Sequence, residues 1–175
     1  MQLNIQTPRK FLNPLLSQKS VVSTDVEAFK TALAKYAQDV QQLTATRQSE
    51  PNIVAGALMP FLQAVPLGYN CRPHSQKGQS GIDLAILSGK DVTVIIEAKA
   101  VGSKDMITAH DLNKKAFHEA IFYFMQERSR KNDKLAHIVI TDFQEWFVFD
   151  AKDFERLFWG NTQLNKTFHA YHNPN

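Results

Sequence analysis

The sequence predicts an α/β sandwich in which a central mixed β-sheet is flanked by helices, with an additional N-terminal arm and helix. Three observations lead there. Residues 82–87 and 92–96 are two short runs of almost purely aliphatic and β-branched residues around the turn-forming stretch Ser88-Gly89-Lys90-Asp91, which reads as a β-hairpin. A second pair of β-rich runs, 136–141 and 146–149, surrounds Asp142-Phe143-Gln144-Glu145. Between the two hairpins, residues 112–124 repeat apolar side chains at helical spacing, and further helical patterns precede the first hairpin. Strands alternating with helices place helices on both faces of one sheet.

Taken in order, residues 1–22 hold Thr7-Pro8-Arg9-Lys10 and Asn13-Pro14 without a sustained period, and read as an extended arm. Thr24-Asp25-Val26-Glu27 has the form of a capping box, with Thr24 as cap and Glu27 at the third helical position. Phe29, Leu33, Tyr36, Val40 and Leu43 then mark an amphipathic bracing helix to about Thr46. A second helix starts near Ser49-Glu50-Pro51, because a first turn tolerates proline and Ser49 can cap it. Ile53, Ala57, Leu58 and Phe61 are its buried stripe, and Pro60 is expected to kink or end it.

Residues 67–72 read as a short strand and 73–80 as a polar loop before the first hairpin. Beyond it, 100–109 is a loop, and His110-Asp111 is expected to cap a helix running to about Arg130. After the second hairpin, 153–158 is a last short helix. The organisation is therefore an arm and bracing helix over 1–48, a core over 49–160 and a polar tail over 161–175, all in one compact domain. At 175 residues and 43% hydrophobic content the chain can bury the core this requires.

Composition removes several function classes. The formal net charge of +3 permits an anionic partner without demanding one. A single cysteine, Cys71, excludes an intramolecular disulfide and a cysteine-rich zinc site, so a reducing, cytoplasmic setting is expected. None of the six histidines is spaced with another ligand as zinc requires. No apolar run approaches the ~20 residues that cross a bilayer, so no membrane role is expected. Neither a glycine-rich phosphate loop nor a nucleophile elbow occurs.

What remains is Asp83 after Ile82, and Glu97-Ala98-Lys99 at the end of the apolar run Val92-Thr93-Val94-Ile95-Ile96. Charges that continue a buried strand need a reason, since burying them costs free energy. Alternation puts Glu97 and Lys99 on one face and Ala98 on the other. Asp83 joins them only in one register: a three-residue loop, or a two-residue loop with a bulge, sets Asp83 opposite Glu97. A plain two-residue loop sends the acids to opposite faces.

Two carboxylates and a lysine converging at one point suit metal-assisted phosphodiester hydrolysis. Mg²⁺, with Mn²⁺ as substitute, prefers oxygen donors and keeps several waters. Asp83, Glu97 and the backbone carbonyl of Ala98 are the expected ligands. Lys99 would orient the attacking water and offset phosphate charge. Basic residues that can meet phosphates are Arg72 and Lys77 before the hairpin and Lys114 and Lys115 after it.

These residues resemble the PD-(D/E)xK nuclease superfamily, with 50–141 covering its common core and Ile82 standing where the motif's proline usually lies. The resemblance implies a restriction-endonuclease-like fold and Asp83, Glu97 and Lys99 as catalytic residues. It implies Glu50, at the start of the preceding helix, as an auxiliary acid. Glu119-Ala120-Ile121-Phe122-Tyr123 looks like a variant of the Gln-x-x-x-Tyr signature found in several branches, which makes Glu119 and Tyr123 further auxiliary candidates. Across nearly the whole chain the pattern is similar to the N-terminal endonuclease region of type IIG restriction-modification enzymes, through Thr7-Pro8-Arg9-Lys10 with Leu12-Asn13, through Leu112-Asn113-Lys114-Lys115-Ala116, and through Ile140-Thr141-Asp142 with Glu145-Trp146-Phe147. That implies DNA as substrate, methyltransferase and specificity domains in the same parent chain, and possible homodimers for double-strand cleavage. No methyltransferase motif is present here. Two other readings compete: a DNA-binding or assembly module on the same fold that does not cleave, and an unrelated domain in which these charges form a strand-end ion pair.

Overall fold

The computed structural model describes residues 6–7, 10, 23–74 and 81–172. Five strands form one mixed sheet whose spatial order follows the chain: β1 (Cys71–His74), β2 (Ile82–Ser88), β3 (Asp91–Ala98), β4 (His137–Thr141) and β5 (Trp146–Asp150). β1, β2 and β3 pair antiparallel, β3 and β4 pair parallel, and β4 and β5 are antiparallel again. A parallel pair needs a crossover, and helix α4 (Lys115–Ser129) lies within it.

Both faces of the sheet are covered. On one side Ala85, Ile95, Ile138 and Ile140 pack with Phe117, Ala120 and Phe124 of α4 and with aromatic residues of the C-terminal helices. On the other, Leu84, Ile96, Ala98 and Val139 pack against α1 (Ser23–Ala45) and the helical stretch 50–63. β3 is central and contributes to both cores, which is why its sequence is apolar without alternation. No helix among the described residues is long and apolar enough to cross a membrane.

The expected hairpin register is met by its bulged route. Gly89 and Lys90 form a two-residue loop between paired Ser88 and Asp91, and of these two only Gly89 has positive φ, as a II′ turn requires. The register then shifts between Ile86 and Leu87: Leu87 faces Val92 but Ile86 faces Val94, so Thr93 is the extra residue. Beyond it Leu84 faces Ile96, and the same register continued brings Asp83 to Glu97.

Several element bounds differ from expectation for local reasons. Ser23 and Thr24 already lie within α1, so Thr24 is not its cap, and Glu27 turns to Lys30 at 2.8 Å instead of back along the helix. Pro60 does not end the second helix. Between α2 (Glu50–Ile53) and α3 (Met59–Gln63), residues Val54–Leu58 form a widened π turn in which Met59 N–H donates to Val54 O. Such a turn absorbs the hydrogen bond that proline cannot make. Gly56 in this turn lets α1 approach, because a Cβ there would stand 3.0 Å from Leu43 Cδ1.

The strand expected over 67–72 starts only at Cys71, since Gly68 has φ +59° and breaks extended backbone. α4 starts at Lys115, not near Asp111. Thr108 and Asp111 bond each other in a closed turn, and Asp111 Oδ1 accepts from Asn113 N–H, so those backbone groups are used before a helix can begin. The chain after β5 forms α5 (Ala151–Phe154) and a second widened turn, Glu155–Trp159. The stretch 161–175, expected to be a polar tail, carries α6 (Thr162–His172), whose Phe168 is buried against Phe122 at 5.8 Å. Lys77 and most of the N-terminal arm lie outside the described residues.

Candidate metal centre

The site forms where the carboxyl end of β3 meets α4 and the first turn of α2. β3 delivers Glu97 and Lys99 to the α4 side, and Ala98 faces the opposite core, as alternation requires. The Lys99 backbone is anchored by its N–H to Thr141 O at 2.9 Å, which extends the β3–β4 ladder by one residue. Its ammonium donates to Glu97 Oε1, to Ala98 O at 3.0 Å, and pairs with Glu119 Oε2 at 2.9 Å. Asp83 reaches across from β2, and its Oδ2 accepts the Ala98 N–H at 2.8 Å. Glu50, at the start of α2, lies close enough to feel the Ala100 N–H and the charges of Lys99, Asp83 and Glu119.

Glu50, Asp83, Glu97 and Glu119 thus surround one ammonium group. Glu97 is the most deeply placed, with 2% of its surface exposed, and its Oε2 is buried without a hydrogen-bond partner. Burial pushes the Glu97 carboxyl up to about 9, with the Asp83 charge adding to the rise against the pull of Lys99. Asp83 is raised by burial as well, against its bond from Ala98, and Glu50 is raised by burial against Lys99. Burial acts to raise Glu119 too, yet its bonds with Lys99 and Glu97 hold it below the ordinary carboxylate value. For Lys99 burial acts downward, but Glu97 and Glu119 outweigh it and hold the ammonium above the ordinary lysine value. Lys99 is therefore a cation in this arrangement.

The donor set fits a hard divalent cation. Asp83, Glu97 and the Ala98 carbonyl present only oxygen, and one of those oxygens, Glu97 Oε2, is buried and unsatisfied. Among the described residues no group of three or more His, Cys, Asp or Glu side chains is placed to hold a metal ion, so an ion here would be held by two carboxylates and a backbone carbonyl, with water completing its shell.

The remaining expected residues divide. Glu119 is part of the site. Tyr123, one turn further along α4, is buried in the core edge-on to Phe122, with ring centroids 6.0 Å apart. Lys114 pairs with Asp111 at 2.9 Å, and Lys115 with Glu119 Oε1 at 3.6 Å. Arg72 is exposed on the edge strand β1, opposite Ala85.

Sequence reasoning missed the backbone groups that hold the site, Ala100 N–H and Thr141 O. The turn next to it was expected as the connection of the second hairpin, but not that Phe143 there adopts φ +72° and that its carbonyl accepts the Tyr36 hydroxyl at 2.7 Å. Asp142 Oδ1 stabilises the same turn by accepting from the Glu145 N–H at 2.7 Å. An Asp at the first position of a four-residue connection was the available signal for such a turn.

No curated protein and no solved structure matches the chain. A family model described as a domain of unknown function, DUF7149, matches residues 6–175, and the chain belongs to that family.

Proposed function

We propose that the chain is a Mg²⁺-dependent endonuclease domain that hydrolyses DNA phosphodiester bonds, on a restriction-endonuclease-like sheet, as the nuclease part of a restriction-modification system. The observation that supports it most is the meeting of Asp83 and Glu97 beside Lys99, with a buried Glu97 oxygen left without a partner. A purely structural ion pair has no use for additional buried carboxylates, because each like charge makes the others costlier.

In this reading Asp83, Glu97 and the Ala98 carbonyl would hold the ion, with Glu50 adding negative charge at its rim; the ion, when bound, would supply an activated water and stabilise charge on the scissile phosphate. Lys99, kept protonated by Glu97 and Glu119, orients that water and offsets phosphate charge; it does not serve as a free base. DNA is the partner, with base recognition and methylation supplied by other domains of a parent chain, and cutting both strands with one site per chain needs two copies. Cleavage of plasmid DNA with Mg²⁺ or Mn²⁺ tests the proposal. Asp83→Ala and Lys99→Ala should each abolish cutting in a chain that still folds, and full activity in both refutes it.

A further inference from the structure

We infer that Glu119 is a positioning residue that acts through Lys99, receiving its ammonium when a divalent cation takes Glu97 and the Ala98 carbonyl. This rests on the metal-dependent nuclease reading above. An ammonium carries three N–H donors. Lys99 donates to Glu97 Oε1 and Ala98 O, and its ammonium also pairs with Glu119 Oε2, whose buried oxygen has no other partner. Two of these three acceptors are oxygens that the ion would need. An ammonium and a dication repel each other at contact distance, so Lys99 must give up Glu97 and Ala98 for the ion to be held.

Glu119 makes that exchange short. Its Oε2 already lies 2.9 Å from Lys99 Nζ, and α4 carries it from the opposite side of the site, so the ammonium pivots within its existing contacts. Lys99 is only 7% exposed, and without Glu119 the displaced charge would have to be hydrated or left buried. A charged acceptor holds an ammonium more strongly than a neutral amide does. Lys115, at 3.6 Å from Glu119 Oε1, is on the exposed rim and is not needed for the exchange.

The test is a double-mutant cycle read by calorimetric titration with Mn²⁺, without DNA. Lys99→Met should tighten Mn²⁺ binding by removing the competitor. Glu119→Gln should weaken it about tenfold in the native background and less than about twofold beside Lys99→Met. Lys115→Ala should leave it unchanged, and thermal melts establish that each variant is folded. If Glu119→Gln does not fold, Glu119→Asp, which withdraws the carboxylate from Lys99, should give the same Lys99-dependent loss. An equal loss in both backgrounds means Glu119 acts on the ion directly and overturns the inference, as does no loss in either. Absence of any Mn²⁺ uptake by the native chain is a separate result, which overturns the nuclease reading itself.

Discussion

Glu97 and Glu127 are buried to nearly the same extent, at 2% and 5% exposure, yet their surroundings differ in kind. Glu127, on α4, has a donor for each oxygen: Arg130 Nη1 at 2.9 Å on Oε1 and Asn132 Nδ2 at 2.8 Å on Oε2. Asn132 Nδ2 also donates to Val92 O, so this group ties the end of α4 to the start of β3. Glu97, at the other end of the same strand, has the Lys99 ammonium on one oxygen, no hydrogen-bond donor on Oε2, and the carboxylates of Asp83 and Glu119 beside it, with Asp83 raising its charge cost. The first cluster is closed and neutralised. The second is open and holds more negative charge than its one lysine can offset, and the difference separates a structural buried carboxylate from one arranged for a ligand.

Substitutions at both ends of β3 probe that contrast. The largest effect is expected on cleavage: Asp83→Ala or Lys99→Ala should lower DNA cutting by about a hundredfold or more. Arg130→Ala, in the closed cluster, should leave it near native, and a comparable loss there would erase the distinction.

Stability should show the reverse order. Glu127→Ala removes the shared acceptor of Asn132 and Arg130 and the tie from α4 to β3, and should cost about 1–2 kcal/mol in denaturant unfolding. Glu97→Gln should cost far less, because burial already favours the uncharged carboxyl there and an amide of the same shape replaces it.

A third comparison uses the ion. At a hundred times its dissociation constant, Mg²⁺ or Mn²⁺ should stabilise the native chain by about 2.7 kcal/mol, visible as a rise in Tm. Glu127→Ala should keep that gain and Glu97→Gln should lose it.

A fourth comparison is pH dependence. Glu97 has its carboxyl raised from the ordinary range to about 9, so the folded state binds its proton more tightly than the unfolded chain. The resulting stability is fully present below the ordinary carboxylate range and is lost as pH rises toward 9. Without metal the native chain should therefore lose stability steadily between pH 5 and pH 9, and Glu97→Gln should flatten that slope. An unchanged slope would place the proton elsewhere.

The face shared by Glu97 and Lys99 was legible in the sequence because strand alternation alone determines it. Whether Asp83 joined them was not, since two loop lengths were open and the outcome turned on one extra residue, Thr93, with nothing in its local pattern to mark it. The sheet and its two helical layers followed from hydrophobic runs and turn residues, and those signals survive tertiary context. Boundaries failed where side chains bond backbone locally, as at Thr108 and Asp111 before α4. The α6 helix was missed because Phe168 is a lone buried anchor in a polar stretch, and its burial depends on Phe122, which no local pattern brings near. Glu119 was legible as sharing a helix face with Tyr123, but only the fold showed that the glutamate meets Lys99 while the tyrosine enters the core.

The most direct measurement is a Mn²⁺ titration followed by the paramagnetic resonance signal of the free ion, run on the native chain, Glu97→Gln and Glu127→Gln. The native chain and Glu127→Gln should take up the ion with the same affinity, and Glu97→Gln should take up none at the same concentrations. Equal uptake by Glu97→Gln, or none by the native chain, would contradict the claim that the open carboxylate at the end of β3 is a cation site.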